Sequence, residues 1–172
     1  PGEVEGIVLP RSEWSGSTIA NVPIGQGIGV TPVQMARLYS SIANGGKLVK
    51  PRLVERVGGR ESEAVKPERK RVITRQTANQ LKRMLERVVS AGSGTKAQVN
   101  GYRVAGKTGT AAKVEPNGEY STERYVASFV GFAPVARPRL VVFVAVDEPR
   151  GGIFGGTVAA PLFAQIMKVS LT

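Results

Sequence analysis

Cysteine and histidine are both absent from the 172 residues. The first absence excludes thiolate nucleophiles, disulfides and thiolate metal sites, and the second excludes every His-based triad and the common zinc sites. A chain without cysteine suits either redox compartment. A general base is restricted to Lys, Asp, Glu or Tyr, and a nucleophile to Ser, Thr or Lys. Long apolar runs are missing too. None approaches the roughly 20 residues of a membrane-spanning helix, and the longest, Leu140–Val146, has the length of a buried strand. There is no signal-peptide pattern and no initiator Met before Pro1-Gly2-Glu3. The expectation is a piece of a longer protein, with any targeting or anchor segment upstream.

Aromatics are scarce, at 6%, while the formal net charge is +11. The densest basic cluster, Lys66-Pro-Glu-Arg69-Lys70-Arg71, contains no aromatic, so it lacks the stacking platforms of single-strand binders. Charge alone attracts without specifying, and nucleic acid is not expected as a partner. What is present suffices for a core: 41% of the residues are hydrophobic, enough for one globular domain.

Residues 1 to 30 read as loop-rich, with the alternating glycines Gly25, Gly27 and Gly29. A helix then follows. Thr31 is an N-cap, Pro32 takes the first helical position and Gln34 completes a capping box. Val33, Met35, Ala36, Leu38, Tyr39, Ile42 and Ala43 make its apolar face, and Asn44-Gly45-Gly46 ends it in the left-handed region. Leu53–Val57 reads as a short strand, and Gly58–Arg71 as charged and exposed. A second helix opens at Thr74, buries Ala78, Leu81, Met84, Leu85, Val88 and Val89, and closes at Ala91-Gly92. Lys82, Arg83 and Arg87 read as its solvated side. From Gly101 the period becomes that of strands. Strands are expected at Gly101–Lys107, Tyr125–Ala133 and Leu140–Val146, the last two buried on both faces. Turns at Pro116-Asn117-Gly118 and Pro134–Arg139 separate them. A loop with Gly151-Gly152 and Gly155-Gly156 precedes a closing helix, Val158–Val169, with Pro161 in its first turn.

Gly101 to Thr108 matches the phosphate-loop pattern G-x-x-x-x-G-K-[ST] literally, and Leu140–Asp147 resembles an apolar strand ending in a magnesium-binding acid. Context disfavours the nucleotide reading. A phosphate loop needs a strand before it and a helix after it. Here a Gly-rich stretch precedes, and Pro116-Asn117-Gly118 leaves no room for the helix. Between Thr108 and Leu140 there is no crossover helix, so the strands form an antiparallel meander. Asp147 is then the polar end of a strand.

Lys107-Thr108-Gly109 on such a strand suits a different chemistry. In penicillin-recognising enzymes Ser-x-x-Lys supplies the nucleophile, Ser-x-Asn a second polar group and Lys-Thr-Gly the opposite wall. A substrate lies along that wall as an added strand. Gly109 leaves room for it, Lys107 brings positive charge, and the Thr hydroxyls donate hydrogen bonds. The stretch Tyr102-Arg-Val-Ala-Gly-Lys107-Thr108-Gly109-Thr110-Ala111 resembles the third-motif strand of class B penicillin-binding proteins, the monofunctional transpeptidases of cell division and elongation. So do Gly25–Ala36, Ile42–Gly46, the Gly94-Thr95 loop and Gly155-Gly156 with Ala160-Pro161. The likeness is closest to the division-type branch.

That resemblance implies an α+β fold of the penicillin-binding transpeptidase (serine β-lactamase-like) type, with an antiparallel sheet of about five strands flanked by helices. Residues 1–172 would be the C-terminal portion of one such domain: a loop and helical part, 1–100, then three antiparallel strands plus a closing helix, 101–172. It implies that Lys107, Thr108, Gly109 and Thr110 bind substrate, that Lys107 tunes the site, and that the Thr110 backbone N–H completes the oxyanion hole. It implies peptidoglycan stem peptides as substrates, β-lactam antibiotics as ligands and divisome membrane proteins as partners, with no metal and no organic cofactor. The parent protein would be anchored on the extracytoplasmic side of the bacterial cytoplasmic membrane. No Ser-x-Asn string is present. The lone Ser-x-x-Lys string, Ser93 to Lys96, falls in a Gly-rich loop after a helix, whereas the nucleophile must open one. Ser93 is therefore read as a decoy. No nucleophile is expected in this chain, which should be inactive without the upstream part of the domain, supplied in the same chain or as a separate one. The alternative is a non-catalytic sensor module of the same fold, binding a peptide or β-lactam without turnover.

Overall fold

The computed structural model describes residues 4–52, 56–57, 60–61 and 68–172. The first part of the chain holds β1 (Ile7–Val8), the short helix α1 (Thr18–Asn21), β2 (Ile28–Gly29), α2 (Pro32–Ala43) and β3 (Lys47–Val49). After these come β4 (Arg56–Val57), β5 (Arg60–Glu61), β6 (Arg69–Arg71) and α3 (Arg75–Ala91). The remainder is β7 (Ala105–Val114), β8 (Tyr120–Ala133), β9 (Leu140–Asp147) and α4 (Gly155–Leu171).

The caps sit where the residue types place them. The Gln34 amide N–H donates to Thr31 Oγ1 at 3.1 Å, and the Thr31 N–H donates to Gln34 Oε1 at 2.9 Å, closing a capping box at α2. The Thr77 N–H donates to Thr74 Oγ1 at 3.0 Å to start α3. At the end of α2 the left-handed residues are Gly45 and Gly46, while Asn44 keeps a negative φ. Ile28-Gly29 pairs with Ile7-Val8 across the N-terminal loops, a ribbon too short to show a period in the sequence. The expected strand Leu53–Val57 lies partly outside the described residues, as does most of Gly58–Arg71. Arg69–Arg71 is exposed, and it is a strand paired with β3.

β7, β8 and β9 form one antiparallel sheet in that order. Residues alternate across it with period two. Phe129 and Ala133 of β8 face α4, while Val130 and Phe132 lie on the other face, where Phe132 packs with Ile42, Ala43 and Leu85 of α2 and α3. β8 is thus sandwiched between helices. On α4 the fully buried residues Ala159, Ala160, Phe163 and Met167 recur at helical spacing, and the small pair lets the helix settle close to the sheet. The Phe163 ring lies 4.7 Å from the Phe129 ring, tilted by 56°. This geometry favours aromatic pairs.

Several boundaries differ from expectation. β7 starts at Ala105, because Gly101-Tyr102 turns tightly and Tyr102 bridges only Val99. β8 starts at Tyr120, so the hairpin reaches beyond the hydrophobic stretch. β9 is half-buried at most positions and exposed at Ala145 and Asp147, since β8 is its one strand neighbour among the described residues. α4 begins at Gly155, which puts the Gly pair in its first turn and Pro161 at an interior position. Pro161 thereby denies the helix one backbone hydrogen bond. Met84 is exposed on α3. Lys82 is half-buried, and its Nζ donates to the Ala43 carbonyl at 2.8 Å, capping the end of α2.

Ion pairs tie the sheet to its surroundings. Arg103 reaches Glu86 of α3 through two contacts, Nε–Oε1 at 2.5 Å and Nη2–Oε2 at 2.7 Å. That bidentate bond, opposed in part by desolvation, holds the Glu86 carboxyl below its ordinary range. The sign follows: a depressed carboxylate adds stability above its unfolded value and loses it as pH falls through the folded one. Thermal melts at about pH 6 and about pH 3 should show a smaller drop for Glu86→Gln than for the unmodified chain. Equal drops would remove Glu86 from the acid response. At the far end of the sheet Lys113 binds Asp147 at 3.1 Å and Glu148 at 2.7 Å, and Arg124 pairs with Glu115.

Candidate active-site wall

Lys107, Thr108, Gly109 and Thr110 lie together on β7, an edge strand with β8 on one side and no strand on the other among the described residues. A following strand makes the phosphate-loop geometry impossible: no helix opens after Thr108. The pleat alternates these residues. Thr108 and Thr110 share the face turned toward α4, while Lys107 and Gly109 belong to the opposite face. Lys107 is exposed. Its Nζ donates to the Thr108 carbonyl at 3.0 Å and lies 3.5 Å from Thr108 Oγ1.

Both Thr hydroxyls are engaged by the chain's own framework. The Gly155 N–H, in the first turn of α4, donates to Thr110 Oγ1 at 3.3 Å. A hydroxyl that accepts this bond keeps its proton for donation elsewhere. The positive end of the α4 dipole therefore stands beside Thr110, which favours negative charge there. Ser93 Oγ lies 2.9 Å from Thr108 Oγ1. Ser93 follows α3, which ends at Ala91, and precedes a short 3-10 turn at Thr95–Ala97.

The closeness of α4 to β7 depends on missing side chains. A Cβ at Gly155 would stand 2.1 Å from the Ser128 carbonyl oxygen and 2.4 Å from that of Gly109. Both are backbone atoms and cannot rotate away. Gly155→Ala is expected to cost about 1–3 kcal/mol as overpacking, read as a lower urea midpoint. An unchanged midpoint would mean that α4 is not seated on β7.

A concavity of about 310 Å³ lies at the β7–β8 hairpin, lined by Glu115, Tyr120 and Arg124 among others. Burial pushes the Tyr39 hydroxyl up to about 12, so it remains protonated at neutral pH and is unsuited as a base. Among the described residues no group of three or more Asp and Glu could hold a metal ion, and no helix is long and apolar enough to cross a membrane. Two contributors are hidden in the sequence: Gly155-Gly156 reads there as loop, and the Ser93 hydroxyl reads there only as a candidate nucleophile. A Gly pair directly before an apolar helical period is the signal that could have found the first.

Lys107 to Thr110 thus lie on an edge strand backed by a helix that begins with Gly-Gly. The family pattern described as penicillin binding protein transpeptidase domain matches residues 1–168. The chain is 44% identical over 176 residues to stage V sporulation protein D of Bacillus subtilis, covering 99% of this chain and 27% of that protein. It is 41% identical over 179 residues to penicillin-binding protein PbpB of Mycobacterium tuberculosis, covering 96% and 26%. Among solved structures, penicillin binding protein 3 of Mycobacterium tuberculosis in complex with aztreonam superposes with a TM-score of 0.89. The identity is 39%, over 99% of this chain and 41% of that one. The TP domain of Burkholderia pseudomallei penicillin-binding protein 3 gives a TM-score of 0.86 at 40% identity, over 99% and 50%. The chain belongs to the penicillin-binding protein transpeptidase family. Its relatives are those of the class B, division-type branch, and it corresponds to the C-terminal part of their transpeptidase domain. It spans less than a third of the length of these curated relatives.

Proposed function

We propose that this chain forms one wall of a serine-type peptidoglycan D,D-transpeptidase, and that the nucleophilic serine and its Lys and Ser-x-Asn partners belong to a preceding segment of the whole protein. The observation that carries the reading is the edge strand. Lys107 and two Thr hydroxyls line it, and Gly109 keeps it free of a side chain where a peptide would lie.

In the reaction, the serine oxygen attacks the carbonyl of the D-Ala–D-Ala bond. The C–N bond breaks, the terminal D-Ala leaves as an amine after taking up a proton, and an acyl-enzyme remains. The amine of a second stem peptide then attacks that ester, forming the cross-link and returning the serine. Lys107 supplies positive charge toward the terminal carboxylate, and Thr108 and Thr110 donate hydrogen bonds to it. The Thr110 backbone N–H on the open edge stabilises the oxyanion of each tetrahedral intermediate. A β-lactam enters by the same carboxylate recognition and acylates the same serine. The complex of the mycobacterial relative with aztreonam supports β-lactam binding here. The whole protein acts on the extracytoplasmic face of the cytoplasmic membrane, held by an N-terminal anchor and working with divisome membrane proteins.

The test uses the full-length protein with a stem peptide ending in D-Ala–D-Ala and an acceptor amine. Release of D-Ala together with a cross-linked product supports the reading. Tight peptide binding with no D-Ala release would favour the sensor module.

A further inference from the structure

We propose that Ser93 is a positioning residue of this wall, orienting the Thr108 hydroxyl toward the substrate carboxylate; the proposal rests on the transpeptidase reading above. Ser93 is exposed, yet its place is fixed. The Gly92 and Gly94 N–H groups both donate to the Val88 carbonyl, at 3.1 and 3.0 Å. A Cβ on Gly94 would come to 3.1 Å from the Phe129 ring, and one on Gly156 to 2.3 Å from the Ser93 carbonyl oxygen. The loop is wedged between the core and the first turn of α4, which delivers Ser93 Oγ to 2.9 Å from Thr108 Oγ1.

Counting protons assigns the role. Each hydroxyl has one proton and two acceptor pairs, and a lysine ammonium only donates. The two hydroxyls hold two protons, and the bond between them uses one. Lys107, 3.5 Å from Thr108 Oγ1, adds a donor and takes none. With Ser93 as the donor, the direction the proposal takes, the Thr108 O–H is left with no acceptor in the pair. An ionised carboxylate accepts only, and so is the group this arrangement suits. Without Ser93 the Thr108 hydroxyl is free to rotate, and the aim of that proton is lost.

The experiment measures second-order acylation rates of the full-length protein by benzylpenicillin and by its methyl ester, which lacks the carboxylate charge. Ser93→Ala is expected to slow the acid about five- to tenfold, the scale of one hydrogen bond, and to leave the ester nearly unchanged. Ser93→Thr restores the hydroxyl and should return the acid rate to within about twofold. Circular dichroism of each variant checks the fold. An unchanged acid rate in Ser93→Ala overturns the proposal, as does an equal fall for acid and ester, which would mark a structural role alone. If the unmodified, folded protein takes up no benzylpenicillin, the transpeptidase reading itself fails and the Ser93 role falls with it.

Discussion

Lys107→Ala in the full-length protein is expected to slow β-lactam acylation by about 100- to 1,000-fold, the range seen when one preorganised electrostatic donor is removed from an acyl-transfer site. The fold should survive. Lys107 is exposed, and among the described residues its ammonium bonds only to Thr108, through the carbonyl and the hydroxyl of that next residue. Surface substitutions of this kind change stability by about 0.5 kcal/mol or less. Rate and stability are therefore separable: circular dichroism and the urea midpoint should hold while the rate of labelling by a fluorescent penicillin collapses. Lys107→Arg should recover part of the rate at most, because a planar fork does not replace a compact ammonium. A rate within about threefold of the unmodified protein would remove Lys107 from the machinery.

Phe129→Ala is expected to cost about 3–5 kcal/mol, enough to unfold a marginal domain. Phe129 is fully buried and stands opposite Thr108 in the sheet register. Its ring fills a socket made by three glycines and Phe163. Built Cβ atoms at Gly106, Gly94 and Gly131 would come to 2.6, 3.1 and 3.1 Å from ring carbons. Backbone crowds the ring on several sides, so the walls cannot collapse into the space that alanine leaves. The socket lies directly behind the Lys107–Thr110 wall. Substrate recognition should therefore fail with folding, in contrast to Lys107→Ala. The urea midpoint reads this directly, and a loss below about 1 kcal/mol would contradict the packing described.

Local chemistry made much of this legible from sequence. The Thr31–Gln34 capping box and the Thr74 cap are decided by residues three apart, and both form. The meander is readable because short turns forbid a crossover, which also disfavours the phosphate-loop pattern, and the strands do pair in the order β7-β8-β9. The fold class and the penicillin-binding family followed from the Lys-Thr-Gly strand and the segments around it. What stayed hidden depends on contacts between distant residues. Gly155 and Gly156 look like a loop because glycine is a poor helix former. They open α4 because its first turn lies against the backbone of Gly109, Ser128 and Ser93. Lys82 looked solvated by its place on the polar side of α3, yet the end of α2 supplies it with a carbonyl. Ser93 was weighed against a motif, while its partner, Thr108, is 15 residues away.

The most direct test of the central claim is an intact-mass measurement after incubation with benzylpenicillin, on the full-length protein and on residues 1–172 alone. The account predicts one covalent adduct on the full-length protein, mapped by proteolysis to a serine outside this segment, and none on the segment alone. A stable adduct within residues 1–172 would contradict it, with Ser93 the first residue to examine, because the nucleophile would then stand on this wall rather than across from it.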